Sequence, residues 1–147
     1  MYLGWADPTG PPMDAVNYYK RVEEAAGGRQ NTESFFRLFM VPGMAHCSGG
    51  PGPTIFGGYG PCAPVSPEIK LDAEHDVLSA LVQWVEKDSA PEHIIASHVK
   101  DDHVDRTRPI CPYPKIAHWN GKGSSDDAKN FTSLEPTSPS PNRSTKE

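Results

Sequence analysis

The chain is poor in cysteine, with three in 147 residues and no C-x-x-C pair. That excludes a disulfide-stapled scaffold and a zinc ribbon, which need more thiols at closer spacing. Long apolar runs are missing too, and no stretch approaches the roughly 20 apolar residues of a membrane-spanning helix. Met1-Tyr-Leu-Gly-Trp-Ala-Asp7 shows no basic start and no apolar stretch of signal-peptide length. Lysine and arginine never run longer than two in succession, and the net charge is −5. Both features argue against a nucleic-acid partner or an anionic membrane surface, which are held by clustered basic side chains.

Proline and glycine are in excess. Sixteen Pro and thirteen Gly make about a fifth of the chain, against a usual share of roughly 12%. Only 36% of residues are hydrophobic. The length suits one ordinary domain, which buries roughly 70% of its unfolded surface. These numbers describe a compact segment with long Pro/Gly-rich connections. There is no internal repeat.

Tyr2-Leu3 followed by Gly4-Trp-Ala-Asp-Pro8 reads as the end of a strand and a turn. A helix is expected from Asp14 to Ala26. Val16, Tyr19, Val22 and Ala26 share a face, Asp14 caps it, and Gly27-Gly28 stops it. Ser34 to Val41 is almost continuously apolar, as a strand covered on both faces would be. Ser48 to Pro67 is a long Gly/Pro-rich loop, and such loops are usually functional or disordered. A second helix is expected from Asp72 to Lys87, with Asp72 as cap and Val77, Leu78, Leu81, Trp84 and Val85 as its core stripe. Glu92 to Val99 reads as a short edge strand. Beyond Lys100 the chain looks irregular, and Pro109, Pro112 and Pro114 exclude a helix. Leu134 to Glu147 is Ser/Thr/Pro-rich and reads as a disordered tail. Strand, Gly-rich loop and helix in alternation is the grammar of an α/β fold.

Asp7 and His46 each follow a strand-like run directly. Functional groups in α/β sheets gather outside the carboxyl ends of strands. An Asp after one strand and a His after the next is the acid–base half of a hydrolase triad, and the order Ser, Asp, His is kept. An Asp before Pro is also an ordinary turn former, and a His in a Gly-rich loop is commonly just exposed. Position alone leaves both readings open.

Two longer strings bear on the choice: Gly4-Trp-Ala-Asp-Pro8, and Phe39-Met-Val-Pro-Gly-Met-Ala-His-Cys-Ser-Gly-Gly-Pro-Gly-Pro53. With Ala80-Leu-Val-Gln-Trp-Val-Glu86, Ala90-Pro91, Ile94-Ile-Ala96, Thr107-Arg-Pro-Ile-Cys-Pro-Tyr-Pro114 and Asn130-Phe-Thr132, they resemble the C-terminal part of the tannase/feruloyl esterase family of α/β-hydrolases. The resemblance covers nearly everything from Tyr2 to Thr132. It implies an α/β fold: residues 1–132 as the C-terminal part of a hydrolase sheet with flanking helices, incomplete, followed by a tail over 133–147. It implies Asp7 as the triad Asp and His46 as the triad His. It implies that Cys47 forms a disulfide with a cysteine just before the nucleophilic Ser. Such a bridge would clamp the nucleophile's turn against the His loop, where a small misplacement slows reaction by about a hundredfold.

The departures are equally informative. No G-x-S-x-G-like elbow is present, and Ser48 lies in the His loop, on the wrong element. The nucleophile, the oxyanion hole and the lid with its calcium site lie upstream in the family. This chain is therefore expected to be part of a larger enzyme or a non-catalytic remnant, inactive on its own and holding no cofactor. The intact protein is expected to be secreted and to hydrolyse small aromatic or phenolic esters of the feruloyl or galloyl kind.

Cys111 corresponds to a family cysteine whose partner position is Ser133 here. Cys62 has no counterpart, and a Cys62–Cys111 bridge is one reading, three reduced thiols the other. His75, His93, His98, His103 and His118 are scattered, without the spacing or carboxylate neighbourhood of a metal site. Trp84 is expected in the core, and Trp5 under the catalytic loop or simply buried. Asn130 and Asn142 begin glycosylation sequons, which matter only on a secretory route.

Overall fold

A computed structural model describes residues 1–57 and 66–136. Strand β1 (Tyr2–Gly4) runs parallel to β2 (Phe39–Val41), with Tyr2 opposite Phe39 and Gly4 opposite Val41. Helices α1 (Pro12–Ala25) and α2 (Arg29–Glu33) make the crossover. This is a βαβ unit, the minimum that can join parallel neighbours.

Alternation along β2 sorts the core into two layers, because successive strand side chains point to opposite faces. Leu38 and Met40 pack with Val16 and Tyr19 of α1. Phe39 and Val41 pack with Met44, Phe56, Ala80, Ile94, Ala96 and Ile110. The expectation of a strand covered on both faces therefore holds for Phe39–Val41, all three buried. It fails for Ser34 to Phe36, whose amides close onto Asn31 and Thr32 carbonyls at the end of α2 instead of onto a neighbouring strand.

α1 starts two residues before Asp14. Pro12 occupies its first turn, where a missing N–H removes only a bond the helix lacks anyway. Pro11 stands at the cap with no side-chain bond, and Asp14 sits in the first turn, where its charge suits the helix dipole. Gly27 (φ 78°) and Gly28 (φ 119°) end the helix in left-handed conformations.

α3 (Val77–Lys87) also starts later than the sequence suggests, capped by Asp76 through the Ser79 amide at 2.6 Å. Asp72 instead closes a turn on the amides of Glu74 and His75. The predicted stripe is covered only in part. Ala80 is buried in the core and Val77 packs against it, while Leu78, Leu81 and Val85 are 64%, 50% and 77% exposed. Trp84 is half-buried beneath the Arg37 guanidinium at 5.5 Å. Arg37 also donates to the Pro91 carbonyl at 2.7 Å, tying the approach to β2 to the approach to β3.

β3 (Ile94–Lys100) and β4 (His103–Ile110) form an antiparallel hairpin. Its two-residue loop, Asp101-Asp102, has positive φ at both positions, as the twist of tight hairpins demands. The chain after Lys100 is thus a strand where irregular structure was expected. Pro109 is tolerated because a two-stranded sheet leaves one edge of β4 without a ladder. β5 (Ile116–Trp119) and β6 (Phe131–Leu134) form a second antiparallel pair, which takes in Ser133 and Leu134. Among the described residues no helix is long and apolar enough to cross a membrane.

Candidate active site

β1 and β2 end side by side, so the turns that leave them meet. The β1 turn is fastened to the β2 loop by two backbone bonds: Trp5 N–H to Val41 O and Ala6 N–H to Met44 O, both 3.0 Å. Gly4 permits this contact, since a Cβ there would lie 2.1 Å from the Met44 carbonyl oxygen. Met44 is fully buried and anchors the β2 loop in the core. The loop then folds back, with Ala45 N–H donating to Gly49 O at 3.1 Å. Gly50 (φ 97°) makes the return, and a Cβ there would lie 2.0 Å from the Gly43 carbonyl oxygen.

This scaffold brings Asp7 and His46 together. His46 Nδ1 lies 2.9 Å from Asp7 Oδ2. The Asp7 side chain is completely buried, whereas the His46 ring is 62% exposed. The second carboxylate oxygen, Oδ1, accepts from Gly10 N–H at 3.0 Å, Thr9 N–H at 2.8 Å and the Thr9 hydroxyl at 2.9 Å. The backbone N–H groups of Gly10 and Thr9, then His46 and the Thr9 hydroxyl, hold the Asp7 carboxyl far below the usual carboxylate range, against the opposing effect of burial. Asp7 is therefore an anion at any physiological pH. Facing it, Nδ1 carries a proton, and Nε2 is left as a base on the exposed side of the ring. The pair can accept a proton at Nε2 and stabilise the imidazolium that results. The sequence reading missed Thr9, although a Thr two residues after an Asp in a turn is a common partner for that carboxylate.

Cys47 adjoins His46, exposed and in a left-handed conformation at φ 63°. Ser48 follows in the same loop. Cys111 is buried, and burial raises its thiol pKa while the nearby Ser133 hydroxyl and Lys115 oppose the rise. Cys47 and Cys111 are free thiols, and Cys62 lies outside the described residues, as does Asn142. Asn130 Nδ2, the atom a glycan would occupy, donates to the Ser124 carbonyl at 2.8 Å.

Four of the five remaining histidines, all but His118, have a carboxylate neighbour that their spacing does not suggest. His75 meets Asp72 at 2.6 Å, His93 meets Glu74 at 3.4 Å, His103 meets Glu68 at 3.0 Å, and His98 meets Asp105. Among the described residues none of these pairs gathers the third donor a metal centre needs. A cleft of 490 Å³ on the β3–β4 side, lined by Glu74, His93, Ser97, Thr107 and Phe131 among others, includes neither Asp7 nor His46.

The family model described as tannase and feruloyl esterase matches residues 1–134. An uncharacterized esterase of Xanthomonas campestris pv. campestris is 44% identical over 89% of this chain and 25% of its own length. The mono(2-hydroxyethyl) terephthalate hydrolase of Piscinibacter sakaiensis is 37% identical over 92% of this chain and 19% of its own length. Among solved structures, feruloyl esterase B from Aspergillus oryzae superposes with a TM-score of 0.79 at 30% identity, over 90% of this chain and 26% of that one. The fold is accordingly that of an α/β-hydrolase-type esterase. The chain spans about a quarter or less of the length of the curated relatives it matches.

Proposed function

Since the chain belongs to the tannase and feruloyl esterase family, we propose that it supplies the acid–base pair of a serine carboxylic ester hydrolase. The observation that carries the reading is the contact of the buried, ionised Asp7 with His46 Nδ1. In the reaction His46 Nε2 takes the proton of a nucleophilic Ser as its oxygen attacks the ester carbonyl carbon. The tetrahedral intermediate collapses, the C–O bond to the alcohol breaks, and the alcohol leaves with the proton from His46. Water then attacks the acyl-enzyme with His46 again as base, releasing the carboxylic acid. Asp7 keeps the ring in register and stabilises the imidazolium in both halves.

The sequence offers no elbow serine. The nucleophile, the oxyanion hole and the lid are assigned to polypeptide outside these residues, which correspond to the C-terminal portion of the family's catalytic unit. Cys47 is assigned a disulfide to a cysteine beside that nucleophile, its exposed place next to His46 being the supporting feature. Such a bridge places the protein in an oxidising, extracellular setting. Any calcium belongs to the lid. The substrate class is a small ester of an aromatic or phenolic acid, in keeping with the feruloyl esterase and terephthalate-ester hydrolase relatives.

The test is hydrolysis of a hydroxycinnamate ester by a polypeptide joining these residues to the nucleophile. His46→Ala should lower kcat by about a million-fold, and a loss under roughly tenfold overturns the reading. The 147-residue chain alone should be inactive.

A further inference from the structure

We infer that Thr9 is a positioning residue for His46: its hydroxyl holds Asp7 Oδ1 and offers the His46 Nδ1–H a second acceptor, which fixes the tautomer that leaves Nε2 open. The inference rests on Asp7 and His46 being the acid–base pair. Thr9 Oγ1 lies 2.8 Å from His46 Nδ1 and 2.9 Å from Asp7 Oδ1, while Nδ1 lies 2.9 Å from Asp7 Oδ2. The three contacts share two mobile protons, one on the hydroxyl and one on the ring.

Only one arrangement satisfies all three. If the hydroxyl donated to Nδ1, that nitrogen would be unprotonated and would face the Asp7 anion lone pair to lone pair at 2.9 Å. The carboxylate would also lose a donor at Oδ1. With the hydroxyl proton on Oδ1, the threonine oxygen presents a lone pair to the ring. The Nδ1–H then divides between Oδ2 and Oγ1, a three-centre bond. The other tautomer would meet two acceptors with a third and is excluded on electrostatic grounds.

Exposure makes this second acceptor consequential. The His46 ring is 62% exposed, so few packed walls hold its plane. One hydrogen bond fixes a point on the ring but leaves rotation about that point. Two acceptors on different residues restrain the ring's orientation as well as its proton. Thr9 is itself exposed, so its loss leaves no cavity in the core.

The experiment is ¹⁵N-histidine NMR of the 147-residue chain at alkaline pH, reading the His46 tautomer ratio and Nδ1–H exchange. Wild type and Thr9→Ser should show Nδ1–H as the dominant form with a protected proton. Thr9→Val, similar in shape but without the hydroxyl, should raise the Nε2–H to Nδ1–H ratio by about fivefold, the worth of one neutral hydrogen bond. Its Nδ1 proton should exchange faster. Thr9→Ala serves if the branched variant perturbs the turn, and it should behave as Thr9→Val does. A ratio and exchange rate unchanged in the hydroxyl-free variants, with native backbone amide shifts, overturns the inference. The readout needs no ester hydrolysis. If the tautomer responds but His46→Ala leaves the completed esterase active, the acid–base reading fails and Thr9 still orients the ring.

Discussion

Two regions of this molecule carry the same chemical pair and treat it differently. At the ends of β1 and β2, His46 meets Asp7; on the outer surface, around α3 and the β3–β4 hairpin, four other histidines meet Asp72, Glu74, Glu68 and Asp105. The outer carboxylates are 36% to 56% exposed, and the Asp7 side chain is not exposed at all. Asp7 also accepts three hydrogen bonds at its other oxygen, two of them from backbone amides. A carboxylate that water can reach trades one partner for another at little cost, and such a pair is worth about 0–1 kcal/mol. A buried one fastened by backbone amides has a single free lone pair direction and keeps it aimed. Adjacency of His and carboxylate is common on a surface; burial of the acid with exposure of the base is the feature that suits proton transfer.

The sharpest way to break this contrast is Asp7→Asn. The amide can be accepted in the same space, but its NH₂ disturbs either the amide cluster at Oδ1 or the Nδ1–H at Oδ2. In the completed esterase kcat should fall by about 10⁴-fold with KM little changed, the signature of a lost tautomer rather than lost binding. Steady-state hydrolysis across substrate concentrations measures it. Gly4→Ala comes next. It alters no titrating group but forces a Cβ against the Met44 carbonyl, where 2.1 Å is available. The β1 turn must then part from the His loop. We expect a destabilisation of about 1–3 kcal/mol by urea unfolding and a rate loss of about a hundredfold. Full activity in Gly4→Ala would show that the two turns need not touch.

Much of the inner region was legible in the sequence, and less of the outer. Val16 and Tyr19 announce their burial by helical spacing, and Phe39-Met-Val41 by being apolar throughout. Asp7 and His46 stand where strand ends put them, and their motifs are specific strings. The outer elements lack such signals. β4 reads His-Val-Asp-Arg-Thr-Arg-Pro-Ile and is mostly half-buried, so neither face is purely apolar. The stripe on α3 has helical period, yet Leu78, Leu81 and Val85 face outward, and Ala80, which is not on the stripe, is the buried residue, with Val77 packed beside it. Periodicity reports that a face is apolar, not which surface covers it. Two of the His–carboxylate pairs, His93–Glu74 and His103–Glu68, were illegible because they join residues 19 and 35 positions apart through tertiary folding, whereas Asp72 and His75 are only three apart. Thr9 was within reach, two residues from Asp7.

The smallest effect expected is at Asp105. Its carboxyl is held below its ordinary range, chiefly by the bond to His98, and the pair is open to solvent. Asp105→Asn should change esterase activity less than about threefold and leave the urea midpoint at pH 7 nearly unchanged. Acid separates it from Asp7 more finely. Both carboxyls are depressed in the folded state. Their contributions are therefore complete above the unfolded carboxylate range near 4 and are lost as pH falls through the folded values. Asp7 is the more depressed, so it keeps favouring the folded state at lower pH, and its loss governs the acid limb. Thermal unfolding followed by circular dichroism from pH 5 to pH 2 should show wild type and Asp105→Asn falling nearly in parallel, with Asp7→Asn distinctly flatter. Added salt should narrow the small difference at Asp105 by screening. It should leave the Asp7 difference in place, because backbone amides inside the turn are shielded from ions. Equal acid limbs in the two variants would mean that burial does not distinguish the two kinds of pair.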